Sequence, residues 1–293
     1  MAVASIGMLF FSFLSVNCYL WAKELPMYLL FIRWDVDPAI VEVFGREIRW
    51  YGLMFAIAFL LGSNILAKIF KIEGKPEKDL DKLTVYVIIA TIVGARLGHC
   101  LFYQPDYYLA NPMEILKIWE GGLASHGAAI GILTALYLYS RSRPSQPFLW
   151  VTDRVVIPVA LGGAFVRLGN LMNSEIVGKP TDLPWGFIFV RNGEDFARHP
   201  TQIYESLFYF FTFYVLWRLY QKYQTKLPHG ALLGLFLVMV FGFRFLVEFV
   251  KDNQVPFEDQ LPLNMGQILS VPAVLAGLWL MARAWKKEAS KQA

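Results

Sequence analysis

Three arginines stand where an arginine is expensive. Arg96, Arg167 and Arg244 each fall inside a long apolar run. A charged side chain at the centre of a bilayer helix costs at least ~2.5–3.5 kcal/mol on insertion scales, so it marks a functional site by default. In Arg167-Leu168-Gly169-Asn170-Leu171-Met172-Asn173-Ser174-Glu175 the guanidinium and the Asn170 amide lie three apart, on one helix face. A planar fork of donors beside an amide suits a phosphodiester. The competing reading is a snorkelling arginine, which Asn170, Asn173 and Glu175 count against. In Arg244-Phe245-Leu246-Val247-Glu248 the charges are four apart. They make an ion pair that eases insertion, a carboxylate that orients Arg244 for an anion, or both.

Two further strings carry polar chemistry. Arg198-His199-Pro200-Thr201-Gln202-Ile203-Tyr204-Glu205 reads as a helix start, with Pro200 near the first turn. Gln202 and Glu205 then share a face; the alternative is capping, with Tyr204 as a membrane-surface anchor. Glu120-Gly121-Gly122-Leu123-Ala124-Ser125-His126-Gly127 places glycines before a histidine. Glycines allow a lipid headgroup or a second backbone to approach closely. A histidine at the membrane edge can act as a base near neutral pH, and it can equally be an interfacial ring satisfied by a carbonyl. His99 and His229 read as structural.

The elements that must position these groups follow from composition. Of 293 residues, 56% are hydrophobic and 17% charged, against roughly 25% charged in an average soluble domain. The excess runs along the whole chain and indicates an all-α, polytopic membrane protein. It excludes a disordered chain, a coiled coil and a disulfide scaffold. A spanning helix needs ~20 mostly apolar residues, and seven segments qualify: about 50–70, 84–103, 122–140, 149–171, 202–220, 230–250 and 265–285. The loops on one side hold fifteen Lys and Arg; those on the other hold five. The positive-inside rule then puts the tail, 286–293, in the cytoplasm and the start of the first span outside.

With that orientation, polar groups from every span gather in the outer half of the bilayer. The inner halves are mostly bland, with Asp153 and Arg154 where one span begins. A transporter should show polar groups through the full depth or on broken helices near the midplane, so the pattern reads as a cavity open to the outer leaflet. A non-catalytic transporter of an anionic lipid or small anion is the alternative. The single transmembrane domain covers 50–285. A Gly- and Pro-rich stretch, about 172–201, reads as a small external subdomain, and 1–49 as an extension and external arm. Residues 1–31 carry a short apolar run without a basic n-region; an alternative start at Met27 makes 1–26 an extension. Two cysteines, Cys18 and Cys100, give neither a disulfide framework nor a metal site. No basic block points to nucleic acid.

In this order, the strings Trp50-Tyr51-Gly52-Leu53-Met54, Gly94-Ala95-Arg96-Leu97-Gly98, Gly121 to Gly127, Arg167 to Glu175 with Gly178, Arg198 to Glu205, Phe243 to Phe249 and Met265-Gly266-Gln267-Ile268-Leu269-Ser270 resemble the bacterial prolipoprotein diacylglyceryl transferases over about residues 33–285. The departures are Ala128 and Ser174 where the family tends to have Gly, His99 where Tyr is common, and Val240 in place of a Tyr found in some members. The resemblance implies an enzyme of the bacterial inner membrane. It moves a diacylglyceryl group from phosphatidylglycerol to the lipobox cysteine thiol of a preprolipoprotein and releases glycerol phosphate. It needs no cofactor and no metal, and the attacking sulfur belongs to the substrate. His126, Arg167 and Arg244 are the catalytic candidates. Tyr51, Arg96, Asn170, Asn173, Glu175, Gly178, Gln202, Tyr204, Glu205 and Glu248 are the expected substrate-binding residues.

Overall fold

The computed structural model describes residues 31–118, 121–122, 124–253, 258 and 260–292. The readings of 1–26, Met27 and Cys18 lie outside the described residues, as do Glu120 and Leu123.

The described residues open with two small β elements. β1 (Ile32–Trp34) runs parallel to β4 (Phe187–Phe189), and β2 (Ala39–Val43) forms an antiparallel hairpin with β3 (Arg46–Arg49). Phe44 and Gly45 both take positive φ at the hairpin turn, the geometry that suits the twist of a two-residue connection. The all-α expectation is therefore corrected in detail. The protein is mostly helical, but part of its extra-helical chain satisfies its backbone groups by pairing as short strands.

The helices are α1 (Trp50–Ile72), α2 (Glu77–Phe102), the short α3 (Pro105–Ala110), α4 (Ser125–Arg141), α5 (Phe148–Met172), α6 (Thr201–Tyr223), α7 (Ala231–Val247) and α8 (Met265–Gln292). Among the described residues five stretches are long and apolar enough to cross a membrane: Trp50–Ile72, Glu77–Phe102, Phe148–Met172, Ala231–Val250 and Met265–Lys286. The other two expected spans are helices of a different kind. α4 has 17 residues, about 25 Å at 1.5 Å per residue, because positive φ at Gly121 and Gly122 keeps the preceding chain out of the helix. α6 has 23 residues but buries Gln202, Glu205, Ser206 and Thr212 along its length.

α5 is the central helix: 56% of its apolar window is buried, against at most 28% for the other four. One end of the bundle is an apolar core around it, including Phe70, Leu83, Tyr139, Ile157, Leu216 and Leu232. The polar groups at that end are tied off locally. Arg154 meets Glu73 at 3.0 Å, and Trp150 Nε1 donates to Glu73 at 2.8 Å. Asp153 accepts from the Gly230 and Leu233 amides at 2.6 and 2.8 Å, capping α7 from a neighbouring helix. α2 and α4 approach closely through Gly94, Gly98, Gly127 and Gly131. A methyl added at Gly94 would meet the Gly127 carbonyl, and one at Gly98 the Gly127 Cα at 2.6 Å. Small residues four apart on each helix are what such an approach requires.

Candidate active site

At the opposite end of α5 the helix runs out through Arg167, Gly169 and Asn170. Gly169 lets α1 close in, since a methyl there would lie 2.8 Å from the Tyr51 ring. Arg167 Nη1 donates to Asn170 Oδ1 at 3.0 Å. Asn170 Nδ2 and Asn173 Nδ2 in turn donate to Glu175 Oε1, at 2.8 and 3.2 Å. The turn that brings Glu175 back over the helix end needs Ser174 at φ 54° and Ile176 at φ 59°. That left-handed conformation favours glycine and explains why glycine suits position 174.

Glu175 is not the counter-ion of Arg167. That place is taken by Glu205 of α6, whose Oε2 lies 3.0 Å from Arg167 Nε. Glu205 is wholly buried, and among the described residues neither of its oxygens has a hydrogen-bond partner. Charge alone holds it, from Arg167 on one side and from Lys251 Nζ at 3.6 Å on the other. Lys251 also reaches Glu248 Oε1 at 3.3 Å, and Glu248 Oε1 lies 3.5 Å from Arg244 Nε. The two arginines are therefore the ends of one alternating series: Arg167, Glu205, Lys251, Glu248, Arg244. Its Arg244 end opens outward, the side chain being 36% exposed. The second oxygen of Glu248 accepts from Asn264 Nδ2 at 3.1 Å. Asn264 and Gln267 cap α8 reciprocally, Asn264 Oδ1 taking the Gln267 amide and Gln267 Oε1 the Asn264 amide. This explains the Met265 to Ser270 string: it starts a helix whose cap steadies Glu248.

Lys251 is placed by backbone pairing. Residues 177–179 lie between two extended neighbours. Lys179 N donates to the Val250 carbonyl and Asp252 N to the Val177 carbonyl, while Gly178 N donates to the His199 carbonyl. A side chain at Gly178 would run into His199, whose carbonyl oxygen lies 2.6 Å from where the Cβ would be. Gly178 thus serves close packing of strands behind the ion series. Burial pushes the Lys251 ammonium below its ordinary value, while Glu205 and Glu248 pull it up. Gln202 Nε2 donates to the Glu175 carbonyl at 2.7 Å, and its Oε1 has no partner among the described residues. Tyr204 points elsewhere: its hydroxyl accepts from Trp185 Nε1 at 2.8 Å and faces His199 Nδ1 at 3.3 Å. Burial also pushes the His199 imidazole below its ordinary value.

Arg96 and His126 belong to a second group. The buried Arg96 spends its guanidinium on carbonyls, donating to Ile115, Gly121 and Glu114 at 3.0, 2.7 and 2.6 Å. It fixes the chain that leads into α4 against α2. His126 is exposed. Its ring packs on Phe102 and Tyr103, with centroids 5.4 and 5.7 Å away, and His99 stacks on Tyr103 at 5.6 Å. Gly122 lies against His99 and Arg96, leaving no room for a Cβ. The structure thus joins Arg167, Arg244, Asn170, Asn173, Glu175, Glu205 and Glu248 in one polar group and puts His126 in an aromatic one. Sequence reasoning missed Lys251, which it counted as a loop charge, and Asn264. Glu248 and Lys251, three apart after Arg244 and Glu248 at four, were the available signal.

A family model described as prolipoprotein diacylglyceryl transferase matches residues 38–283. The chain is 51% identical over 257 residues to a protein of Chloroherpeton thalassium, covering 88% of this chain and 96% of that one. It is 48% identical to a protein of Tolumonas auensis, over 87% of this chain and 98% of the other. It is also 48% identical to one of Porphyromonas gingivalis, over 87% and 95%. Each of these relatives is called phosphatidylglycerol–prolipoprotein diacylglyceryl transferase.

Proposed function

The chain belongs to the prolipoprotein diacylglyceryl transferase family, and from that membership we propose that it transfers the diacylglyceryl group of phosphatidylglycerol to a prolipoprotein. The acceptor is the thiol of the lipobox cysteine. Its sulfur attacks the diacylglycerol carbon bonded to the phosphate oxygen. A C–S bond forms, the C–O bond breaks, and glycerol phosphate leaves with the bonding electrons. A free thiol has a pKa of ≈ 8.5, so a base that takes its proton raises the thiolate fraction; His126 is that base. Charge grows on the phosphate as the bond breaks, and preorganised cations stabilise it. Arg167 and Arg244 supply them, with Asn170, Asn173, Glu175 and Tyr51 around the headgroup. Glu205 and Glu248 orient the arginines, Gln202 and Gly178 hold the surrounding backbone, and Arg96 holds the loop before His126. Tyr204 contributes on the peptide side.

The observation that carries this reading is the convergence of Arg167 and Arg244 on one buried ion series. α4 and α6 complete seven spans, the segment between α5 and α6 lies outside, and the C-terminus is cytoplasmic. The site then faces the outer leaflet of the inner membrane. The test is direct. Purified protein given radiolabelled phosphatidylglycerol and a lipobox peptide should label the peptide, and a Cys→Ser peptide should stay unlabelled. Labelled lipid bound and recovered unchanged, with no peptide product, would favour a lipid carrier instead.

A further inference from the structure

The ion series contains one cation that the proposed chemistry does not use. Lys251 is 2% exposed, too buried to meet a headgroup, yet it is the only member that touches both carboxylates. Without it the series falls into two separate pairs, Arg167 with Glu205 and Arg244 with Glu248, each neutral. With it the salt-bridged set holds three cations and two carboxylates. Glu175 stands one amide further out, bonded to Asn170 and Asn173.

We infer that Lys251 is a positioning residue that joins the two neutral Arg–Glu pairs into a single receptor and raises its charge by one unit, offsetting Glu175, for the phosphodiester of the lipid. The inference rests on the reading of this site as the phosphatidylglycerol site. Each arginine presents its Nε edge to a carboxylate, so an anion that approaches the remaining nitrogens also meets the field of that carboxylate. Lys251 cancels this field from behind, at 3.6 and 3.3 Å. It also gives Glu205, which has no hydrogen-bond partner among the described residues, a second counter-ion, and so keeps that carboxylate fixed against Arg167. At an effective dielectric near 20, a unit charge roughly 10 Å from the phosphate is worth about tenfold in binding.

The test uses the full-length enzyme in detergent micelles with phosphatidylglycerol and a lipobox peptide. Lys251→Met should raise the KM for phosphatidylglycerol about tenfold and lower kcat less. Lys251→Arg, which keeps the charge, should stay within a few-fold of wild type. A purely structural role would instead track the shape of the side chain and fail in both. Where Lys251→Met does not fold, Lys251→Gln is the milder neutral variant and should show the same rise in KM. A wild-type KM in a folded neutral variant, or equal loss in the neutral and Arg variants, would each overturn the inference. A wild-type protein that transfers nothing overturns the proposed function instead.

Discussion

Arg244 offers the sharpest test of the proposed chemistry. Its Nε faces Glu248 at 3.5 Å, and its side chain is 36% exposed while Glu248 is 5% exposed. One edge of the guanidinium is therefore anchored and the other is open to a ligand. Arg244→Ala removes the open edge and leaves Glu248 with Lys251 and Asn264 as its partners. Loss of one preorganised donor to a developing oxyanion costs about 10²–10³ in rate, and the same loss is expected in kcat/KM here. Arg244→Lys retains a charge, but an ammonium cannot hold Glu248 and two phosphate oxygens at once, so it should recover no more than about tenfold of that loss. Glu248→Gln keeps the shape of the anchor and should fall less than Arg244→Ala. Initial rates of peptide labelling, with membrane content and melting temperature measured alongside, separate catalysis from folding. An Arg244→Ala enzyme that folds and works within a factor of about three of wild type would refute the assignment.

His126→Asn should lose ~10²–10⁴-fold in transfer while retaining phosphatidylglycerol binding; a rate–pH profile unchanged from wild type would reduce His126 to packing on Phe102 and Tyr103. Ser174→Gly should stabilise the protein by about 1 kcal/mol, because it relieves a left-handed residue whose buried hydroxyl also lacks a partner among the described residues; a lower melting temperature would contradict this. An alkaline phosphatase fused to the C-terminus should be inactive and a fluorescent protein bright; the reverse result would invert the membrane orientation.

Local spacing made much of this legible. Arg244 and Glu248, four apart, do pair, and Arg167 and Asn170, three apart, do bond. Hydropathy located α1, α2, α5, α7 and α8 because their sequences are apolar in themselves. It described α4 and α6 less well, since one is shortened by glycines and the other is interrupted by the polar groups it contributes. The partner of Arg167 could not be read locally. Glu175 is near in sequence but is held by amides, whereas Glu205 arrives from another helix. Lys251 was hidden for a similar reason: a lysine just past a span looks solvated, and only strand pairing with residues 177–179 brings it inside.

The polar character of α6 has a consequence for how the protein is made. Glu205 has no counter-charge on its own helix in this structure; its charge contacts are Arg167, synthesised earlier, and Lys251, synthesised later. A helix that brings a bare carboxylate into lipid is expensive to release. On the proposed seven-span topology α6 is therefore a poor candidate for leaving the insertion machinery alone, and it becomes a favourable one once α5 waits beside it with Arg167 exposed. Between the emergence of α6 and that of residue 251, the nascent bundle holds Glu205 by one of its two ions. On that topology the ion series is completed late in biogenesis, when the chain after α7 folds back against residues 177–179.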